Sequence, residues 1–144
     1  MTDWLEILAT PLPVARAIEF VSATTAGGIA IFLGTTRDDA NEKGQPLAAL
    51  DYEAYADLAS RQLTELAHDA RQRWPILKLA VLHRTGRVAL GEPSVLIAVS
   101  TPHRAEAFEA CRWLIDTLKA DLAVWKKEIW SDGTGTWVDP HAHI

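Results

Sequence analysis

The sequence has a single cysteine and lacks the common metal-binding and nucleotide-binding motifs. Cys111 is the only cysteine among 144 residues, which excludes an internal disulfide and a cysteine-based zinc site. The sequence contains no Walker loop, no Rossmann glycine fingerprint and no HExxH motif. Five histidines are present, but His141 and His143 stand in a tail that we expect to fray. We therefore expect neither a bound metal nor a cofactor.

Strong positive charge and long apolar runs are also lacking. The net charge is -5 and the pI is near 5.5, so no overall field attracts nucleic acid or an anionic membrane. No apolar run approaches the roughly 20 residues of a membrane span. The first residues include Asp3 and no basic leader, which does not resemble a signal peptide. We expect a cytoplasmic protein that binds neither nucleic acid nor membranes.

What the chain does have is enough apolar sequence for a core. Apolar residues make up 49% of it, which suits one domain covering residues 1–144. The periodicity predicts the order β-α-β-β-α-β-β-α-β-β, with room for a short extra strand in TGRVALGE. The first helix is expected to stop at Gly27 and Gly28, and the segment GIAIFLG is expected to be a buried strand. Paired strands favour an α+β fold with a largely antiparallel sheet.

Basic residues stand at the ends of several predicted elements, namely Arg37, His83, Arg84, His103 and Arg104. His103 and Arg104 lie where the third helix begins. Arginine and histidine near a helix N-terminus suit a phosphate, because the free backbone amides already favour an anion. A surface ion pair of Arg104 with Glu106 or Glu109 is the simpler interpretation when any one residue is considered alone.

The third helix places basic residues on an apolar stripe. At about 100° per residue, the residues that share one side of it are Arg104, Phe108, Cys111, Ile115 and Lys119. We expect this stripe to be buried, either with long side chains that reach back to water or as a half-buried cationic pocket. Cys111 then lies between apolar neighbours, which is typical of a core thiol rather than a nucleophile.

The segment DTLKADLAVWKKE brings Lys119, Lys126 and Lys127 close together. A solvated charge run is the default interpretation. A lysine in a partly desolvated site among other cations has a lowered pKa, and can act as a base, an acid or a nucleophile toward an acyl group. Lys119 and Lys126 fit that description better than Lys43 or Lys78. The residues alone do not decide between these interpretations.

Six segments of the chain resemble, in order and spacing, the large catalytic subunit family of molybdopterin synthase. They are GGIAIFLGTTRD, LDYEAYADLA, LHRTGRVALGE, VSTPHRAEAFEACRWLIDTLK, VWKKE and GTWVD. Each segment alone is a weak match, but six in register are specific. The resemblance implies an α/β hammerhead fold and a homodimer with a small ubiquitin-like sulfur-carrier subunit at each end, which makes a heterotetramer.

The resemblance also implies an activity. The family adds two sulfurs as a dithiolene to cyclic pyranopterin monophosphate, or precursor Z, and so forms molybdopterin. The sulfur arrives as a thiocarboxylate on the Gly-Gly tail of the carrier, which agrees with a buried Cys111 that supplies none. The expected enzyme is a sulfurtransferase of molybdenum cofactor biosynthesis. The alternative is a non-catalytic module that binds an acidic protein tail or a phosphorylated metabolite.

The family's site residues carry over to particular positions. The resemblance assigns catalysis to Lys119 and Lys126, binding of the pterin substrate to Arg37, His103 and Arg104, and a supporting role that orients a lysine to Glu128. Lys127 is expected to be the solvated neighbour.

The chain also departs from the family pattern. Many members carry a further arginine near the C-terminus, whereas this chain has none after Arg112 and offers His141 as a weak substitute. A continuous third helix would separate Arg104 from Lys119 by roughly 22 Å. We therefore expect each site to combine residues from two subunits across a two-fold axis.

Overall fold

The fold comes from a computed structural model that describes residues 3–138. Within that range the helices are α1 (Val14–Val21), α2 (Ala56–Arg73) and α3 (Arg104–Asp121). The strands are β1 (Asp3–Leu8), β2 (Gly28–Thr35), β3 (Leu47–Ala54), β4 (Lys78–Arg84), β5 (Gly86–Ala89), β6 (Pro93–Thr101), β7 (Val124–Trp130) and β8 (Gly135–Trp137). Among these residues, no helix combines the length and apolar character needed to cross a membrane.

The strands form two sheets of four. The first has the order β1-β4-β6-β2, and the second has the order β5-β3-β7-β8. Among the strands of residues 3–138, β1 and β4 are the one pair that runs parallel, and the other pairs are antiparallel. The predicted α+β class with mostly antiparallel strands is therefore confirmed, and β5 is the short extra strand. The division into two sheets was not predicted.

Helices cover both faces of the first sheet. Helices α2 and α3 bury one face through residues such as Leu63 and Leu114, and α1 buries part of the other face through Ala17 and Val21. Strand β6 is an inner strand of this sheet and has helices on both faces, so every residue of it after Pro93 is buried. A strand that is covered on both faces is apolar throughout rather than alternating.

Strand β2 corrects one prediction, because only alternate residues of it face the core. Ala30 is buried beneath the helices, whereas Ile29, Ile31 and Leu33 remain 41%, 40% and 37% exposed. The reason is that β2 is the edge strand of its sheet, and α1 packs against β4 and β6 instead. The first sheet thus ends in an apolar strand whose outer edge pairs with no strand in residues 3–138.

Gly27, which precedes β2, and Gly28, which begins it, do not stop a helix, since α1 already ends at Val21. They allow a close backbone approach instead. A Cβ on Gly27 would lie 2.1 Å from the carbonyl oxygen of Pro102, and one on Gly28 would lie 2.8 Å from the Cα of Arg104. The start of α3 therefore rests directly on the start of β2.

Helix α3 is unbroken from Arg104 to Asp121, but its buried face is rotated from the predicted one. Cys111 and Ile115 are buried as expected, whereas Arg104, Phe108 and Lys119 are exposed. The contact face is centred on Ala107, Ala110, Leu114 and Leu118 instead. The predicted stripe therefore runs along the border of the core, and its two basic ends reach solvent.

Candidate active site

The lysines of β7 point to opposite faces of the second sheet, because successive residues of a strand alternate. Lys126 lies directly opposite Tyr52 of β3 and is half-buried. Lys127 pairs with Trp137 of β8, and its Nζ lies 5.5 Å from the centre of that indole ring. The side chain of Lys127 thus points to the face opposite Lys126. It is half-buried there, and not solvated as predicted.

Lys126 is the centre of a cationic cluster. Burial lowers its pKa, and the positive charges of Lys119 and Arg37 lower it further, while Glu128 raises it. These residues come from the last turn of α3, the loop after β2 and strand β7. The structure therefore brings together Arg37, Lys119, Lys126 and Glu128 from distant parts of the chain.

A buried histidine belongs to the same cluster. His83, near the end of β4, is only 6% exposed, and its Nδ1 lies 2.9 Å from the carbonyl oxygen of Arg84. Burial lowers the pKa of His83 to about 4, the hydrogen bond to Arg84 raises it, and the charges of Lys119 and Lys126 lower it. The imidazole is therefore neutral at neutral pH.

Sequence reasoning grouped His83 with the basic residues at element ends and missed its place beside the lysines. The available signal was strand alternation in KLAVLHR, which puts His83 on the same side as Leu79 and Val81. Those two residues belong to the main core. A histidine on that side is expected to be buried, and a buried histidine favours its neutral form.

His103 and Arg104 lie apart from this cluster within one chain. Both are exposed at the N-terminal end of α3, and the unbroken helix separates Arg104 from Lys119 by roughly 22 Å. The hydroxyl of Thr101 donates to the carbonyl of His103 and fixes the entry to the helix. Within the described part of one chain, a basic centre thus lies at each end of α3.

Acid should destabilise the protein through His83. An unfolded histidine has a pKa near 6.5, and the folded value is about 4. Between these values only the unfolded chain binds the proton, so stability is complete above about pH 6.5 and falls as the pH drops toward 4. The loss should be on the order of 3 kcal/mol. Chemical denaturation at several pH values should show a shallower acid slope for His83→Asn, and equal slopes would contradict the assignment.

Cys111 is expected to be dispensable for chemistry. Burial raises the pKa of its thiol to about 11, so the reactive thiolate is scarce at neutral pH. Cys111→Ser should keep full activity, while an unpartnered buried hydroxyl lowers the free energy of unfolding by about 1 to 3 kcal/mol. Denaturant titration and an activity assay on the same sample would check both. A stable but inactive Cys111→Ser protein would instead indicate a sulfur relay on this cysteine.

Elsewhere in residues 3–138 there is less to support a catalytic or metal site. No group of three or more His, Cys, Asp or Glu side chains in residues 3–138 could hold a metal ion. A depression of about 610 Å³ lies against β1 and α1, and its lining includes Trp4, Arg16 and Phe20 but none of the clustered lysines. His141, the suggested substitute for the missing arginine, falls outside the described residues.

Comparison with known proteins identifies the family. The family model described as MoaE protein matches residues 7–121. The molybdopterin synthase catalytic subunit of Arabidopsis thaliana is 50% identical over 120 residues, which cover 83% of this chain and 60% of the relative. The chain thus spans less than two thirds of that relative's length.

Solved structures share the fold. The crystal structure of molybdopterin synthase from Staphylococcus aureus matches with a TM-score of 0.85 and 32% identity, over 93% of this chain and 96% of that one. A chain from the complex of subunits 1 and 2 of the Helicobacter pylori molybdopterin-converting factor matches with a TM-score of 0.80, over 96% and 92% of the two chains. At 21% identity that second likeness shows the fold alone. With the sequence matches, the chain belongs to the MoaE protein family of molybdopterin synthase catalytic subunits.

Proposed function

We propose that this chain catalyses sulfur transfer from the thiocarboxylate tail of a small carrier subunit to cyclic pyranopterin monophosphate, which forms the dithiolene of molybdopterin. The observation that carries the proposal is the half-buried Lys126, whose pKa is lowered by burial and by Lys119 and Arg37. Surface charge runs made for solubility are not desolvated in this way. A cluster of like charges in a partly buried site is typical of a functional one.

The residues of the cluster suit the steps of this reaction. A lysine with a lowered pKa is a better proton donor near neutral pH, and it can return to its neutral form to accept a proton. Lys126 can thus move protons as sulfur adds, and the positive charges of Lys119 and Lys126 can polarise the thiocarboxylate. The guanidinium of Arg37 is suited to the cyclic phosphate, because its planar donors match phosphate oxygens. Glu128 provides the negative charge that keeps Lys126 oriented.

The sulfur is supplied by a partner. Cys111 is buried and its thiol is poorly ionised, so the chain has no thiol suited to carry sulfur. A small ubiquitin-like carrier subunit with a Gly-Gly tail is the proposed donor. The Helicobacter pylori chain that shares this fold comes from a complex of subunits 1 and 2, which supports a partner of this kind.

A second copy of the chain is the proposed occupant of the β2 edge. The outer edge of β2 is unpaired in residues 3–138, and Ile29, Ile31 and Leu33 are partly exposed on one face of it. Helix α3 packs on the other face of β2, and its residue Phe108 is 67% exposed. An apolar edge strand is a template for strand pairing. A homodimer built on β2 would cover these side chains.

A two-fold axis at this edge would complete the active site. Arg104 lies beside the start of β2, and Arg37 follows its end. The eight residues of β2 span roughly 24 Å, which is close to the length of α3 between Arg104 and Lys119. Antiparallel pairing of two β2 strands would therefore place His103 and Arg104 of one chain near Arg37 and Lys119 of the other.

Reconstitution tests the proposed function. The chain would be mixed with precursor Z and a thiocarboxylated carrier, and molybdopterin would be measured. Product that requires all three components is the expected result. Tight binding of the carrier or the precursor without any product would favour a non-catalytic binding module. The cytoplasmic location and the single domain over residues 1–144 remain predictions.

A further inference from the structure

Two aromatic residues lie beside the lysine cluster without an assigned role. Tyr52 of β3 stands directly opposite Lys126 of β7, so the two side chains leave the same face of the second sheet as close neighbours. His83 comes from the first sheet and meets Tyr52 edge to face, with 5.1 Å between ring centres and 68° between ring planes. The two sheets therefore meet through these rings next to Lys126.

Both rings are held in neutral forms. Burial raises the pKa of Tyr52, which a hydrogen bond with Ser94 only partly offsets. The imidazole of His83 lies within hydrogen-bonding distance of the Arg84 carbonyl through Nδ1, so in the neutral ring the proton belongs on that nitrogen. Neither ring offers a charge that would compensate the ammonium group of Lys126.

The charged groups around Lys126 come from three other directions. Lys119 faces it from α3, Arg37 from the loop after β2, and Glu128 from its own strand. Among the charged groups of residues 3–138 that act on Lys126, only Glu128 has the opposite sign. The neutral rings and the two cations therefore disfavour the charged form of Lys126, whereas Glu128 favours it.

We propose that Tyr52 and His83 are positioning residues for Lys126, whose rings form a neutral floor that excludes water and fixes the direction of its ammonium group. The functional consequence rests on the proposed role of Lys126 in sulfur transfer. Burial is the largest cause of the lowered pKa of Lys126, and the floor supplies part of that burial. A floor that opened to water would leave Lys126 more strongly protonated and a weaker proton donor.

The test is an NMR titration of isotope-labelled lysine side chains in the full chain, without carrier or substrate. The signal of Lys126 is assigned by its loss in Lys126→Arg. Tyr52→Ser and His83→Asn open the floor and should move the pKa of Lys126 upward toward the ordinary lysine value. Tyr52→Phe keeps the ring and should retain the lowered pKa. Lys78, which lies on β4 outside the cluster, is the internal control, and its signal should behave in each variant as it does in the parent chain.

Unchanged titration of Lys126 in folded Tyr52→Ser and His83→Asn proteins would overturn the proposal. If Tyr52→Ser does not fold, His83→Asn decides alone. In the reconstituted reaction, the same variants should shift the pH profile of sulfur transfer upward, which a purely structural role would not do. Because the titration needs no activity, a moved pKa in a chain without sulfur transfer would uphold the floor and reject the proposed function.

Discussion

Lys126→Ala protein is expected to fold normally and to lose sulfur transfer by roughly 100-fold or more, which is the usual contribution of a positioned acid or base. Lys119→Ala should show a similar loss. Lys126 is half-buried and Lys119 is exposed, so removing either charge leaves the main core intact. The rate would be measured as molybdopterin formed at saturating carrier and precursor Z, and folding would be checked by thermal denaturation.

Lys127→Ala is the matched control for these two variants. Lys127 neighbours Lys126 in sequence but leaves the other face of the sheet toward Trp137. Its replacement removes the same charge from the same strand without touching the cluster. A mild effect is expected. If Lys127→Ala were the most damaging of the three, the assignment of the catalytic face would be wrong.

Mixing two inactive variants should restore activity. Arg104→Ala and Lys119→Ala each disable both sites of their own dimer if every site takes Arg104 from one chain and Lys119 from the other. A heterodimer of the two then holds one intact site and one that lacks both residues. With free subunit exchange, half of the dimers are mixed, so about a quarter of the parent activity should return.

The control mixture combines Lys119→Ala with Lys126→Ala. These lysines belong to one cluster within one chain, so no heterodimer of this pair contains an intact site and no activity should return. Exchange would be verified in both mixtures with differently tagged chains. Equal failure of both mixtures after verified exchange would mean that each site lies within one chain.

Much of the fold could be read from local patterns. Proline positions and apolar periodicity predicted the order of elements, and paired strands predicted the antiparallel α+β class. The burial of β2 was predicted wrongly because GIAIFLG is apolar at nearly every position, and such a run does not reveal that its strand lies at an edge. The division into two sheets depends on long-range pairing, which local periodicity does not encode.

The candidate site was predicted in part for similar reasons. The resemblance assigned Arg37, Lys119, Lys126 and Glu128, and the structure groups them in one chain. The helical wheel predicted the buried face of α3 only approximately. Phe108 was therefore expected in the core, but it is exposed. The floor of Tyr52 and His83 was missed, because it forms only where the two sheets meet, and the sequence separates these residues by a helix and a loop.

The fate of the sulfur atoms tests the central claim most directly. A carrier with heavy-isotope sulfur in its thiocarboxylate would be mixed with this chain and precursor Z. The masses of the product and of the chain would then be measured by mass spectrometry. The account predicts molybdopterin in which both dithiolene sulfurs carry the label, with no label on Cys111. Product without label, labelled sulfur retained on Cys111, or no product from a folded chain that binds both reactants would contradict it.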